Sequence, residues 1–266
     1  MRSVKKNSLI RRLLFLSVIG LVGLVAFQFI YPDVSALKKT IPKKTAMMEY
    51  REEEWKREGK KYRIVQKWVP LGAVSPYLIK AVLIGEDDKF WQHEGFDYEA
   101  MQKAIEKDIK AKKFKLGGST ISQQLAKNLY LSPSKNPMRK LREAVITWRM
   151  EKALSKKRIL ELYLNLAEWG DKGIFGIEAA ARHYYGKPAS ALSAEEAARL
   201  ASVLPNPRKF SPLGDSRYVV HRSNLIYSIM VKRGIVVPEY EEMQGEENAG
   251  EPALLPSVKD LPPSSQ

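Results

Sequence analysis

Lys115-Leu-Gly-Gly-Ser-Thr-Ile-Ser-Gln-Gln-Leu-Ala-Lys-Asn-Leu-Tyr-Leu131 is the stretch around which the chain is organised. Gly117 and Gly118 free the backbone just before a hydroxyl pair, Ser119 and Thr120. Thr120 followed by Gln123 has the spacing of a capping box, which predicts that a helix begins here. Ile121, Leu125 and Leu129 recur every four residues and form a core-facing stripe, while Thr120, Gln124 and Lys127 fall on the neighbouring one. The result is a helix N-terminus with free N–H groups and a positive dipole, carrying hydroxyl, amide and ammonium donors on one face. Such a surface suits an anionic, oxygen-rich ligand such as a phosphate. The same spacing also describes an ordinary capped helix after a glycine turn. It is not a Walker loop, because no Gly-Lys-Ser/Thr follows the glycines.

Outward from this element, composition narrows the partners. At 266 residues the chain has room for a membrane anchor and one sizeable domain. A net charge of +15 and a pI near 9.7 call for anionic partners: nucleic acid, anionic lipid or a phosphorylated substrate. There is no cysteine, which excludes disulfides, zinc–thiolate sites and thiol nucleophiles. His93, His183 and His221 are too dispersed in sequence to suggest a metal site.

Residues 13–31 are almost unbroken apolar sequence, long enough to cross a bilayer of roughly 30 Å at about 1.5 Å per residue. Arg2, Lys5, Lys6, Arg11 and Arg12 precede it and are expected to stay cytoplasmic. The run is long for a cleavable signal peptide, and no small-x-small cleavage site follows it. The reading is a signal anchor with a cytoplasmic basic N-terminus over 1–12 and the main domain across the membrane. That address disfavours nucleic acid and leaves lipid head groups and lipid-linked phosphates as the anionic partners.

Residues 32–61 read as a lysine-rich juxtamembrane linker, attracted to anionic lipid by about 1 kcal/mol per charge near the surface. The domain is expected over 62–238, and the acidic, Pro-containing tail over 239–266 is expected to be disordered. Tyr62-Arg-Ile-Val-Gln-Lys-Trp-Val69 alternates as a short strand stopped by Pro70. Helices are predicted over 76–85, 96–114, 138–154, 156–169, 173–185, 194–204 and 215–237. The 96–114 segment carries Met101, Ile105 and Ile109 on one face and lysines on the rest, a pattern suited to a membrane surface and also to a solvated helix packed on its apolar edge. In 138–154, Arg139 and Glu143 stand one turn apart and Leu141, Val145 and Trp148 form an apolar stripe. Glu86, Asp87 and Asp88 close the apolar 76–85 helix. Alone, they read as a solvated acidic turn; burial would raise one carboxyl's pKa and suit it to proton transfer.

The order of these signals resembles the peptidoglycan glycosyltransferase family. Glu86-Asp-Asp-Lys-Phe-Trp-Gln-His-Glu-Gly95 resembles its first motif and Gly117-Gly-Ser-Thr-Ile-Ser-Gln-Gln-Leu-Ala-Lys-Asn128 its second. Arg139-Lys-Leu-Arg-Glu143, Lys157-Arg-Ile-Leu-Glu-Leu-Tyr-Leu-Asn165 and Gly176-Ile-Glu-Ala-Ala-Ala-Arg-His-Tyr-Tyr-Gly-Lys187 are similar to the third, fourth and fifth. The match runs from about 68 to 212, and the residues after it are too few for a transpeptidase domain, so the resemblance is to the monofunctional members. The resemblance implies a mainly α-helical, lysozyme-like domain with a smaller membrane-proximal lobe, preceded by one transmembrane helix. It implies polymerisation of lipid II: a GlcNAc C4 hydroxyl attacks C1 of the lipid-linked MurNAc and undecaprenyl pyrophosphate leaves. Glu86 takes the position of the family's catalytic glutamate and Glu143 that of its second essential glutamate, orienting or acting electrostatically with Arg139. Lys127 and Arg139 match positions facing the pyrophosphate, Ser119, Thr120 and Gln124 hold phosphate and sugar oxygens, and Asp87, Phe90 and His93 shape the site. Tyr163, Asn165 and Lys187 are expected to be structural.

No cofactor is required on this reading. A divalent cation, Mg or Mn, can assist the pyrophosphate, although no ligand spacing identifies its holders. The implied partners are lipid II, the nascent glycan strand, membrane lipids and other cell-wall synthesis proteins, with no nucleic acid. Two alternatives stand beside it. A lysozyme-like or lytic glycan-cleaving enzyme needs a general acid for a sugar leaving group, where Lys127 and Arg139 favour a pyrophosphate. A non-catalytic, membrane-anchored partner of the wall-synthesis complex has no need of Glu86.

Overall fold

A computed structural model of the chain describes residues 11–20, 23, 27, 31–111, 118–133 and 137–237. The fold is mainly helical. After a helical stretch at 11–20 come α1 (Ala46–Arg57), α2 (Pro76–Glu86), α3 (Tyr98–Ala111), α4 (Ile121–Tyr130) and α5 (Pro137–Ala153). They are followed by α6 (Lys156–Leu166), α7 (Ile177–Tyr185), α8 (Ala194–Val203) and α9 (Arg217–Lys232). The expected tail over 239–266 and much of the apolar run over 13–31 lie outside the described residues. Among the described residues, no helix is long and apolar enough to cross a membrane.

The centre of the molecule is α6. Leu160, Leu162, Tyr163, Leu164 and Leu166 are all buried, so this helix is covered on every side rather than along one stripe. Each such leucine contributes about 1.5–3 kcal/mol by leaving water. Helix α4 packs against α5 and α6, and α1 packs against α4. Helix α8 packs on both α2 and α9, where Ala194, Ala197, Ala198 and Ala201 are buried and let the backbones approach closely. Helix α9 also reaches α2.

Local chemistry fixes where these helices begin. Thr120 and Gln123 form the reciprocal capping box of α4, and Ser193 and Glu196 that of α8. Ser155 caps α6 through Arg158 N. Pro76 opens α2. The alanine-rich helix expected from 173 starts instead at Ile177. Gly176 turns the chain with φ +79°, and a Cβ there would lie 2.7 Å from the Asn165 carbonyl oxygen, so only glycine fits.

Two segments differ from expectation. Residues 62–69 do not form a strand; Val65 makes one isolated parallel bridge to Ile174, and Asn165 holds the next stretch. Its Oδ1 accepts from Val69 N at 2.9 Å and its Nδ2 donates to Val69 O at 2.8 Å, so a side chain does what a neighbouring strand would do. The stretch expected as a linker, 32–61, is packed: Val34, Leu37, Met48 and Trp55 are buried. Arg51 on α1 grips Glu168 through Nε at 2.9 Å and Nη2 at 2.8 Å.

Helix α5 has two faces. Inward it presents Glu143, Ile146, Thr147 and Met150, all buried. Outward, Met138, Leu141 and Trp148 are more than half exposed. The apolar stripe read from the sequence thus faces away from the core, while Glu143 and Thr147 face in beside Ile146 and Met150.

Candidate active site

The site forms where the C-terminal end of α2 meets α4. Glu86 is the last residue of α2 and its side chain is 8% exposed. Its Oε2 accepts a hydrogen bond from Gln124 Nε2 at 2.9 Å. Gln124 stands on the second turn of α4, and its Oε1 accepts from the buried Tyr163 hydroxyl on α6 at 3.1 Å. With the oxygen so engaged, the amide nitrogen must face the carboxylate. Tyr163 therefore aims Gln124, and Gln124 aims Glu86. Burial pushes the Tyr163 hydroxyl well above its ordinary pKa, so it serves as a donor and not as an acid.

Burial also pushes the Glu86 carboxyl above the ordinary carboxylate range. Gln124, Arg222 and Lys127 pull against that shift. Lys127 lies one turn beyond Gln124, within electrostatic reach of Glu86 on one side and Glu143, Arg139 and Lys140 on the other. Among the described residues its ammonium makes no ion pair. Burial, with the two neighbouring cations, lowers its pKa.

Glu143, buried on α5, accepts from Arg139 Nη1 at 3.3 Å and from Lys140. It ties two cations into the same region as Lys127. The arrangement is one recessed carboxylate followed by a cluster of positive charge, joined through one turn of α4.

Beneath it runs a second network. Asp87 accepts from Ile121 N, the first amide of α4, at 2.9 Å, and its other oxygen meets His93 Nε2 at 2.9 Å. Gly95 N donates to His93 Nδ1 at 3.1 Å, which places the imidazole proton on Nε2. Asp87 thus anchors the start of the helix that carries Gln124 and Lys127, and its negative charge complements that helix's dipole.

The other expected site residues separate into groups. Ser119 lines a cleft of about 260 Å³ beside Glu86, bordered also by Asp88, Asp97 and Lys103. Thr120 is buried; its hydroxyl donates to Gly95 O at 2.7 Å and accepts from Gln123 N, so both capacities are spent inside the fold rather than on a ligand. Phe90 is fully buried, with Lys156 Nζ 4.5 Å from its ring centroid, and supports the site from within the core. His93 likewise acts through Asp87. No three His, Asp or Glu side chains gather among the described residues in a way that could hold a metal ion.

Residues 53–231 match the sequence profile of the family described as Transglycosylase. The chain belongs to the transglycosylase family. It is 44% identical over 222 residues to the biosynthetic peptidoglycan transglycosylase of Nitrosospira multiformis, covering 84% of this chain and 96% of that one. It is 52% identical over 169 residues to the protein of that name from Dechloromonas aromatica, covering 64% and 73%. The Methylobacillus flagellatus protein of the same name is 44% identical over 214 residues, covering 80% and 93%.

Two members of this transglycosylase site were not assigned from sequence. Tyr163 was read as structural, yet it orients Gln124. Arg222 on α9 donates from Nη2 to Glu86 Oε1 at 3.1 Å and to Gly85 O at 2.7 Å. A signal for Arg222 exists: it lies between Val219 and Ile226 on the buried face of its helix, where a charge needs a partner.

Proposed function

We propose that this chain polymerises lipid II into glycan strands at the outer face of the bacterial cytoplasmic membrane. The reading rests on one observation: Gln124 donates to Glu86, and Lys127, one turn further along α4, lies within electrostatic reach of that carboxylate. The acceptor C4 hydroxyl is a weak nucleophile, and a buried carboxylate of raised pKa is suited to take its proton. The hydroxyl oxygen bonds to C1 of the lipid-linked sugar, the bond from C1 to the pyrophosphate oxygen breaks, and the proton passes to Glu86. Charge then grows on the departing undecaprenyl pyrophosphate. Lys127 and Arg139 stabilise it without acid catalysis, and Glu143 holds Arg139 in place. Ser119 and Gln124 bind sugar and phosphate oxygens.

The membrane address is part of the proposal. It is supported by the apolar run over 13–31 behind a basic N-terminus, by the exposed apolar side of α5, and by the packing of the turn Ser35–Lys38 against that same helix. A chain anchored over 13–31 with its N-terminus inside would enter the domain beside that surface.

Purified full chain is given lipid II and, separately, mature glycan. The expected result is polymer from the first and no cleavage of the second; cleavage without polymer would favour a lytic enzyme. Glu86→Gln should abolish polymerisation, and Lys127→Ala should lower kcat by about 10²–10³-fold. Loss in Glu86→Gln is not to be unfolding. A carboxyl raised in the folded state adds stability only at low pH and loses it as pH rises through the folded value. Removing the charge therefore offsets part of the hydrogen bond that the amide loses to Gln124 or Arg222, and a cooperative melt well above the assay temperature shows that the lost activity is not unfolding. A fully active Glu86→Gln variant, with wall-complex binding intact, would favour the non-catalytic reading.

A further inference from the structure

Glu86 is held by two donors, and only one of them is charged. Gln124 on α4 supplies a neutral amide to Oε2. Arg222 on α9, 136 residues away in sequence, supplies a guanidinium to Oε1. The remaining groups that face this carboxylate are Lys127 from α4, Tyr163 from α6 and Asp87 next to it in the chain. Lys127 makes no hydrogen bond to Glu86 and is assigned above to the leaving group. The Tyr163 hydroxyl is engaged with Gln124, and Asp87 with His93 and Ile121. Asp88, one residue further on, is turned outward to Arg233 at 2.8 Å.

Arg222 is built into this position. The same Nη2 that meets Glu86 also donates to the Gly85 carbonyl, so the guanidinium is fixed to the backbone that carries the base. Its Nε is buried with no hydrogen-bond partner among the described residues. Gly85 keeps the approach close: a Cβ there would lie 3.2 Å from Ile226 Cδ1 and 3.8 Å from Arg222 Nη2, so Ile226 would have to give by a few tenths of an ångström.

We propose that Arg222 is a positioning residue for the reaction, a cation delivered by α9 that keeps Glu86 ionised and fixes which oxygen lone pairs remain open to the acceptor hydroxyl. The proposal rests on the reading of Glu86 as the base. A recessed carboxylate tends toward its neutral form, which cannot accept a proton; a neighbouring cation opposes this. With Oε1 tied to Arg222 and Oε2 to Gln124, the acceptor is left the outward side of the carboxylate.

Lipid II polymerisation by the full chain in detergent is followed from about pH 5 to about pH 10 for wild type, Arg222→Gln, Arg222→Lys and Glu86→Gln. In Arg222→Gln the acid limb of kcat should move to higher pH by about one unit, with activity recovering on the alkaline side and KM little changed. Arg222→Lys should move it less, in the same direction. An equal loss at every pH, or an unmoved acid limb in both variants, overturns the proposal. Should Arg222→Gln not fold, Arg222→Lys decides by the same criterion. A dead Glu86→Gln beside an unshifted Arg222 variant overturns the clamp alone, whereas an active Glu86→Gln overturns the base assignment beneath it.

Discussion

Asp87→Asn offers a sharp test of how the site is held, because asparagine has nearly the shape of aspartate but half its accepting capacity on this side. Asp87 receives two donors, Ile121 N–H and His93 Nε2–H, one on each oxygen. Asparagine has one oxygen and one NH₂ group, so one donor must face another. The imidazole cannot resolve the conflict by moving its proton to Nδ1, since Gly95 N–H already points there. At least one buried hydrogen bond to a charged group is lost, about 1.5–3 kcal/mol. Loss of the negative charge at the N-terminus of α4 adds about 0.3–2 kcal/mol. Together these come to about 3 kcal/mol, or roughly 6–12 °C in Tm for a chain of this size. Thermal melting by circular dichroism measures it. His93→Ala in the Asp87→Asn background should then cost much less than in wild type, because the partnership is already broken. A Tm within about 2 °C of wild type, or full additivity of the two substitutions, would refute the network as the anchor of α4.

Tyr163→Phe removes the donor that orients Gln124; kcat for polymerisation should fall about tenfold, equivalent to about 1.4 kcal/mol, with KM nearly unchanged. Arg51→Met leaves Glu168 recessed with its bidentate partner gone and should destabilise the fold by about 2–3 kcal/mol at neutral pH in urea denaturation. Burial already holds the Glu168 carboxyl above the ordinary range, against the pull of Arg51, so losing Arg51 raises it further. The deficit should therefore shrink as pH falls and the carboxyl becomes neutral, and a deficit that grows on acidification would contradict this account. Leu141→Glu with Trp148→Glu should leave melting within about 1 kcal/mol of wild type, because both side chains are exposed, while weakening co-sedimentation with anionic vesicles.

Much of the helical layout was legible because the signals are local. Capping boxes at Thr120 and Ser193, the serine cap at Ser155 and the apolar repeat of α4 rest on bonds between residues three or four apart, and these appear where the spacing puts them. Resemblance supplied Glu86, which charge pattern alone had assigned to solvent. What spacing could not supply was any role that depends on a distant partner. Thr120 was expected to serve a ligand from its place on the α4 stripe, but its second bond runs to Gly95 O, 25 residues away. The 62–69 segment alternates like a strand, yet Asn165 takes the bonds that a strand would need. The stripe of Leu141, Val145 and Trp148 was visible, but periodicity says only that a face is apolar, not what covers it. Arg222 was hidden for the same reason: the residue that gives it meaning lies on another helix.

The opposed faces of α5 set a length scale. An α-helix with its side chains is about 10–12 Å across, and Glu143 and Trp148 look in nearly opposite directions from one such cylinder. If Trp148 rests among lipid head groups, the cationic cluster can stand little more than one helix width above them. On the proposed membrane address, a pyrophosphate still tethered to its polyprenyl tail would reach that height without its lipid leaving the bilayer. Sugar units joined there would be pushed outward from the sheet, one addition at a time, while each spent carrier remains where it was.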